Sequence, residues 1–361
     1  MRIIMFYHSL ISDWNHGNAH FLRGMASELI ARGHDIAVYE PENGWSLSNL
    51  VSLYGHRPVE DFEARFPLLR STTYNLKALD LDAIMQDADL VLVHEWNDPE
   101  LIARIGEHHG HNRGYRLLFH DTHHRSLTEG DLFGSIGLEK YDGVLAYGSV
   151  IRKRYLDRGW AGRVWVWHEA ADVRTFHPVA AGAPENDIVW VGNWGDEERT
   201  RELHEFLIEP TRRLRLRGCA FGVRYPGKGV AAFRAAGIDF SGWIPNYMVP
   251  EIFALSRVTV HIPRRPYVKL LPGIPTIRPF EALACGIPLV CSPWEDTEGL
   301  FTPGKDYLVA RDGDEMVSHL RMLLGDPDMA AEVSSRGLRT VLSRHTCGHR
   351  VDELLTICNS I

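Results

Sequence analysis

Long apolar runs are missing from this 361-residue chain. No stretch approaches the ~20 apolar residues that a membrane-crossing helix requires. Behind Arg2, the run Ile3-Ile-Met-Phe-Tyr7 is too short for the apolar part of a secretion signal and reads as a first strand. Cysteine is scarce and unpatterned. Cys219, Cys285, Cys291, Cys347 and Cys358 are odd in number and form no Cys-x-x-Cys pair; three of them sit in apolar or strand-like surroundings, as reduced core cysteines do, which predicts a cytoplasmic location. Basic charge is not in excess either: 39 Lys and Arg stand against 47 Asp and Glu, a net charge of −8. That excludes non-specific nucleic-acid binding as an expectation, while peripheral contact with a membrane stays open. Repeats and low-complexity segments are absent. What remains is an ordinary globular composition, 45% hydrophobic and 24% charged, long enough for two domains.

Short strands alternate with helical stretches through the first half. Arg2–Tyr7 reads as a strand, Ser9–Gly17 as a loop, Asn18–Arg32 as a helix and Asp35–Glu40 as the next strand. Asp89–His94, Arg116–His120, Asp142–Ala146 and Val164–Trp167 follow in the same style. A second series starts near Asp187, with strands expected at Ile188–Val191, Cys219–Arg224, Val258–Ile262, Leu289–Cys291 and Tyr307–Ala310. Strands alternating with helices imply parallel sheets with right-handed crossovers, whose ligands bind outside the carboxyl ends of the strands. The reading is an α/β protein with a first domain at residues 1–169, a linker at 170–186, a second domain at 187–340 and a C-terminal helical segment at 341–361.

The most informative stretch is Pro275-Thr-Ile-Arg-Pro-Phe-Glu-Ala-Leu-Ala-Cys-Gly-Ile-Pro-Leu-Val290. Pro279 suits a first helical residue, because its missing N–H would be unpaired there. Gly286 suits the left-handed residue that ends a helix, and Ile287–Cys291 is a short buried-strand run. A helix start beside Arg278 attracts phosphate, and Glu281, one turn in, can accept hydrogen bonds from paired sugar hydroxyls. Around it, Arg257, Arg264, Arg265, Lys269 and Arg278 occur with no acid between Glu251 and Glu281. Such a local excess suits an anionic ligand and can stabilise a departing diphosphate.

The Glu281-Ala-Leu-Ala-Cys-Gly-Ile-Pro-Leu segment resembles the nucleotide-binding signature of GT-B glycosyltransferases, especially the family-4 (group 1) enzymes and the CgeB-like spore-maturation proteins. The resemblance implies two Rossmann-like parallel-sheet domains facing a cleft, with the C-terminal helices crossing back to the first domain. It implies that Glu281 binds the ribose. The family's signature begins with a second Glu eight positions upstream, which contacts the donor sugar. Here that position is Gly273, which leaves donor and stereochemistry open. The resemblance also implies a donor-phosphate cation at Arg199, just after the Val191-Gly-Asn-Trp-Gly195 loop, where Gly192 and Asn193 would approach the ligand. Trp243 and Ile244 would flank the base, although Trp243 could instead be core. Asn15-His-Gly-Asn18 stands in for the family's amino-terminal glycine-rich loop, with Gly17 near phosphates or acceptor. Asp172, Phe176 and Pro178 keep the spacing of the family's linker entry.

His120-Asp-Thr-His-His-Arg125 closes a strand at the ligand-facing edge, and His94-Glu95-Trp96 closes another. Asp121 and His123, with His16, are the candidate bases for an acceptor hydroxyl. The one- and two-residue spacing within a single loop is poor for metal coordination, and no Asp-x-Asp pair falls in a candidate donor loop. Glu107–Arg113, also rich in histidine, reads as a solvated turn. The expectation is therefore a cytoplasmic glycosyltransferase needing neither metal nor cofactor. It would move a sugar from a UDP- or GDP-type donor to an unidentified hydroxyl of a saccharide, lipid-linked or protein acceptor. The resemblance favours retention of configuration. A nucleotide-sugar 2-epimerase and a non-catalytic sugar-nucleotide binder are the alternatives.

Overall fold

The computed structural model describes residues 1–361 and divides the chain into two compact units, Met1–Glu169 with Cys347–Ile361, and Ala170–Thr346. The first unit is built on seven parallel strands: β1 (Arg2–Phe6), β2 (Asp35–Pro41), β3 (Ser71–Tyr74), β4 (Leu90–His94), β5 (Arg116–Asp121), β6 (Gly143–Ala146) and β7 (Val164–Val166). Their order across the sheet is β3-β2-β1-β4-β5-β6-β7. The central strands are largely apolar and buried on both faces, with polar residues only at their ends. Leu90-Val-Leu-Val-His94 is buried at every position. β3 was not expected: its Ser-Thr-Thr-Tyr sequence lies at the sheet edge with two residues exposed, so it carries no apolar alternation.

The second unit repeats the plan with β8 (Asn186–Val191), β9 (Gly218–Phe221), β10 (Ile238–Phe240), β11 (Ser256–His261), β12 (Leu289–Cys291) and β13 (Leu308–Val309). The order is β10-β9-β8-β11-β12-β13, again all parallel. Its core gathers Trp190, Trp194, Phe206, Phe233, Val260 and Leu320 on the two faces of that sheet. Each sheet thus reverses strand order once, between β1 and β4 in the first unit and between β8 and β11 in the second. These are the points where such sheets receive ligands.

Three boundaries differ from expectation. The stretch expected as a linker is tied into the second unit. The Ala171 N–H donates to the His345 carbonyl (2.9 Å), the Asp172 carboxylate accepts from the Thr175 hydroxyl (3.0 Å), and Phe176 is fully buried. Helix Pro327–Arg344 runs past the boundary expected at 340 and lies wholly in the second unit. A side chain at Gly337 would stand 2.6 Å from Leu283 Cδ2, so the missing Cβ lets this helix close on helix Ile277–Ala284. Only helix Cys347–Cys358 returns, packing on helix Ala19–Ala31, where Arg32 pairs with Asp352 (2.5 Å). Glu107–His111 is the last stretch of helix Pro99–His111 rather than a solvated turn, and His109 is buried between the Lys140 and Tyr115 carbonyls (2.9 and 3.1 Å). No helix is long and apolar enough to cross a membrane.

Candidate active site

In the second unit the site grows from the β8/β11 switch point. β8 runs into Gly192-Asn-Trp-Gly195, where Gly195 has φ +82° and a Cβ would stand 2.8 Å from Arg199 Nε. The turn is shaped around that arginine. The Arg199 guanidinium lies 5.0 Å over the Trp190 ring and donates to the carbonyls of Trp194 (3.3 Å), Ile262 (2.9 Å) and Asn193. It ties the end of β8 to the end of β11, leaving two of its five N–H donors for anything else. Burial, then the charges of Arg264 and Arg278, pull its pKa down to about 9. Arg264 and Arg278 therefore both repel Arg199 at this edge, an arrangement that an anion would relieve.

Arg264 is half-buried beside Glu198 (3.3 Å). Arg265 turns instead to Glu202 (2.9 Å) and the Glu197 carbonyl, and Lys269 stands exposed one turn further along helix Arg265–Leu270. Arg257 lies at the amino end of β11, against Asp187 (3.6 Å), away from the ligand edge.

Helix Ile277–Ala284 begins two residues earlier than expected, so Pro279 is its third residue, still within the turn whose N–H groups lack helical partners. Thr276, before it, gives no side-chain cap because its hydroxyl meets His261 Nε2 at 3.0 Å. Burial and the charges of Arg199 and Arg278 bring the pKa of His261 down to about 3, so it is neutral. Arg278 and Glu281 face each other one turn apart as an ion pair, with the carboxylate fully buried. Gly286 follows at φ +67°, as its expected role requires.

The departure at Gly273 has a steric cause. Its φ is +87°, and a Cβ would stand 2.2 Å from Thr297 Oγ1 and 2.9 Å from Glu298 Cγ. No glutamate fits at that position in this fold. Trp243 and Ile244 follow β10 in a loop fixed by the Gly222 N–H on the Gly242 carbonyl (2.8 Å). Both are only half-buried, so Trp243 is not a core residue.

In the first unit the β1/β4 switch point carries histidines. His8 follows β1, His94 ends β4, and His120-Asp121 ends β5. Arg23 staples the Ser9–Gly17 loop, donating to the carbonyls of Leu10 (2.7 Å) and Ile11 (2.6 Å) and pairing with Asp13 (2.9 Å). That holds His16, 6% exposed, with its ring centroid 4.0 Å from that of His8. The His16 ring hydrogen-bonds the Ser9 backbone, while Nε2 has no partner in the protein. Burial and the neighbouring His8 and Arg23 hold its pKa well below the usual value. Gly17 is exposed next to it.

Asp121 is fully buried: its carboxylate accepts from the Tyr155 hydroxyl (2.9 Å) and from the His123 N–H (3.1 Å). Burial raises its pKa to about 6 against those bonds. Both oxygens are thus engaged in shaping the loop that carries His123, whose half-buried ring lies 5.1 Å from Trp96. His8, Arg23 and His261 were missed by sequence reasoning. His8 and His261 carry a signal that could have found them, since each stands where a buried strand meets a polar loop.

No three His, Cys, Asp or Glu side chains are grouped to hold a metal ion. Residues 199–356, which include Arg199, Arg264, Arg278 and Glu281, match the family model described as glycosyl transferase-like. No curated protein matches the chain. Among solved structures, Anabaena HepE in complex with UDP and glucose is 13% identical with TM-score 0.72, covering 100% of both chains. Sucrose-phosphate synthase from Thermosynechococcus elongatus is 16% identical with TM-score 0.67, covering 100% of this chain and 99% of that one. A glycosyltransferase from Rickettsia africae is 11% identical with TM-score 0.68, covering 99% and 98%. The fold is therefore GT-B, two Rossmann-like α/β units.

Proposed function

We propose that this protein transfers a sugar from a nucleoside-diphosphate sugar, of UDP type, to an acceptor hydroxyl, with retention and without a metal ion. The observation that carries the reading is the convergence of Arg199, Arg264 and Arg278 on the carboxyl edge of the second sheet, one helical turn from the buried Glu281. Arg264 and Arg278 would meet the diphosphate, with Arg199 holding the two strand-end loops and lending its remaining donors. Arg265 and Lys269 would add long-range attraction. Glu281 would take the ribose hydroxyls, Gly192 and Asn193 would approach the donor through backbone, and Trp243 and Ile244 would flank the base. As the glycosidic bond breaks, negative charge grows on the diphosphate, where fixed cations count most. Its oxygen can then take the acceptor proton on the same face. HepE complexes with UDP and UDP-glucose support the choice of base. Five buried cysteines, none joined in a disulfide, suit work in the cytoplasm.

Calorimetric titration with UDP and GDP tests the donor site. Glu281→Ala is expected to weaken UDP by about ten- to a hundredfold, the usual worth of a charged hydrogen bond. The folded circular-dichroism spectrum should persist. Equal affinity of variant and parent for both nucleotides would remove Glu281 from the site. Transfer is also expected to survive EDTA, because guanidinium groups meet the leaving group. Loss of turnover on chelation, restored by Mn²⁺ or Mg²⁺, would refute that account.

A further inference from the structure

Three tryptophans from three separate segments, the loops at Trp14 and Trp96 and the first residue of helix Trp45–Tyr54, meet over His8 at the β1/β4 switch point. The Trp45 ring lies 6.0 Å from His8 and nearly parallel to it (13°), 6.0 Å from Trp14 and 6.5 Å from Trp96. The arrangement is fixed: the Ser46 hydroxyl donates to the Trp14 carbonyl (2.8 Å), and Arg125 lies 4.5 Å over Trp96. Trp45 is 37% exposed, so the group opens to solvent. Beneath it lie buried polar atoms with no partner in the protein: both ring nitrogens of His8, Trp14 Nε1 and His16 Nε2. Buried polar groups are almost always hydrogen-bonded, so a cluster of orphans beside aromatic faces calls for a ligand that offers both.

We propose that this cradle binds a neutral sugar ring, which makes the acceptor of the transferase a saccharide. A pyranose presents an apolar C–H face for the indoles and a ring of hydroxyls that can donate to or accept from His8, His16 and Trp14. Charge selects against other stacking ligands. Arg23 is committed to Asp13, and Arg125 to Glu95 (3.2 Å) and Glu129 (3.1 Å). Burial keeps His8, His16 and His94 uncharged. No free cation therefore awaits a phosphate or carboxylate. The term "acceptor" rests on the transferase reading above; the sugar-binding cradle does not.

The test is NMR of the indole N–H signals of the full chain, without donor. Maltotriose, cellotriose and the methyl glycosides of galactose, mannose and N-acetylglucosamine are the probes, with glucuronate and adenosine as controls. At least one neutral saccharide should shift the Trp14, Trp45 and Trp96 signals. Trp45→Ala should weaken that saccharide about two- to tenfold, the range of an aromatic contact, Trp45→Phe should retain most of the affinity, and UDP binding should be unchanged in both. Silence of these indoles toward every neutral saccharide, or response to adenosine or glucuronate alone, overturns the cradle. Saccharide shifts without UDP binding would sink the donor site and leave the cradle standing. UDP binding with silent indoles would do the reverse.

Discussion

Acidification from pH 7 to pH 5 is expected to destabilise the protein severely, with the first unit affected most. His8 and His120 are buried with pKa values pulled down to about 3, by burial in both cases and for His8 also by Arg125. His16 and His94 are depressed in the same direction by burial and by neighbouring histidines. In the unfolded chain each titrates near 6.5. Between the two values the unfolded state binds more protons than the native state, so stability present above pH 6.5 is lost as pH falls. From pH 6.5 to 5, each of His8 and His120 costs about 2 kcal/mol. Two such groups remove about 4 kcal/mol from a typical total of about 5–15, before His16 and His94 are added. His261 acts in the same sense in the second unit.

Carboxyls oppose this without cancelling it. Asp121, raised to about 6, and Glu95, raised well above its usual value by burial, take up protons in the folded state and gain stability as pH falls. Asp121 offsets about 1–2 kcal/mol between pH 6 and 5. Melting temperature measured at steps from pH 8 to 4.5 should fall steeply below pH 6.5. His120→Asn should flatten that slope even if it lowers stability at pH 8. A flat profile in the parent protein, or an unchanged slope in the variant, would show that these rings are not held neutral by the fold.

The strands of both sheets were legible because buried parallel strands leave unbroken apolar runs such as Leu90–Val93 and Val189–Val191. Edges were not. β3 has the composition of a loop, and β10 is only Ile238–Phe240. The helix at Ile277 was visible through Pro279 and Gly286, but its start was displaced because Thr276 answers to His261, a partner fifteen positions away in sequence. Arg199 shows the deeper limit. Its charge and position were readable, whereas its three carbonyl partners come from two different strand ends that only folding brings together. For the same reason the grouping of Trp14, Trp45 and Trp96 had no signature in the chain, each sitting alone in its own segment, two in loops and Trp45 at a helix start.

His16→Ala is expected to lower turnover by about 10²-fold, the low end of the range for groups that bond a reacting hydroxyl, while UDP affinity stays as in the parent; a loss nearer ~10⁴-fold would mark it as the base. Of the three candidate bases, His16 has the clearest chemistry. Its ring is anchored through the Ser9 backbone, its Nε2 is without a partner, and its low pKa keeps it in the proton-accepting form at neutral pH. His123→Ala should show a loss of the same kind if its half-buried ring shares the hydroxyl. Asp121 differs, because both of its oxygens already serve Tyr155 and the His123 N–H. Asp121→Asn keeps the shape and removes the charge, so a positioning role predicts a loss of about tenfold or less, well short of the factor for a catalytic base. The anomeric configuration of the product, read by NMR, then assigns the role. Retention sends the proton to the departing phosphate and leaves His16 and His123 to orient the hydroxyl, with losses at the low end. Inversion would make one of them the base and overturn the retaining mechanism. Near-parental turnover in His16→Ala, His123→Ala and the double variant would show that this edge of the first sheet is structural.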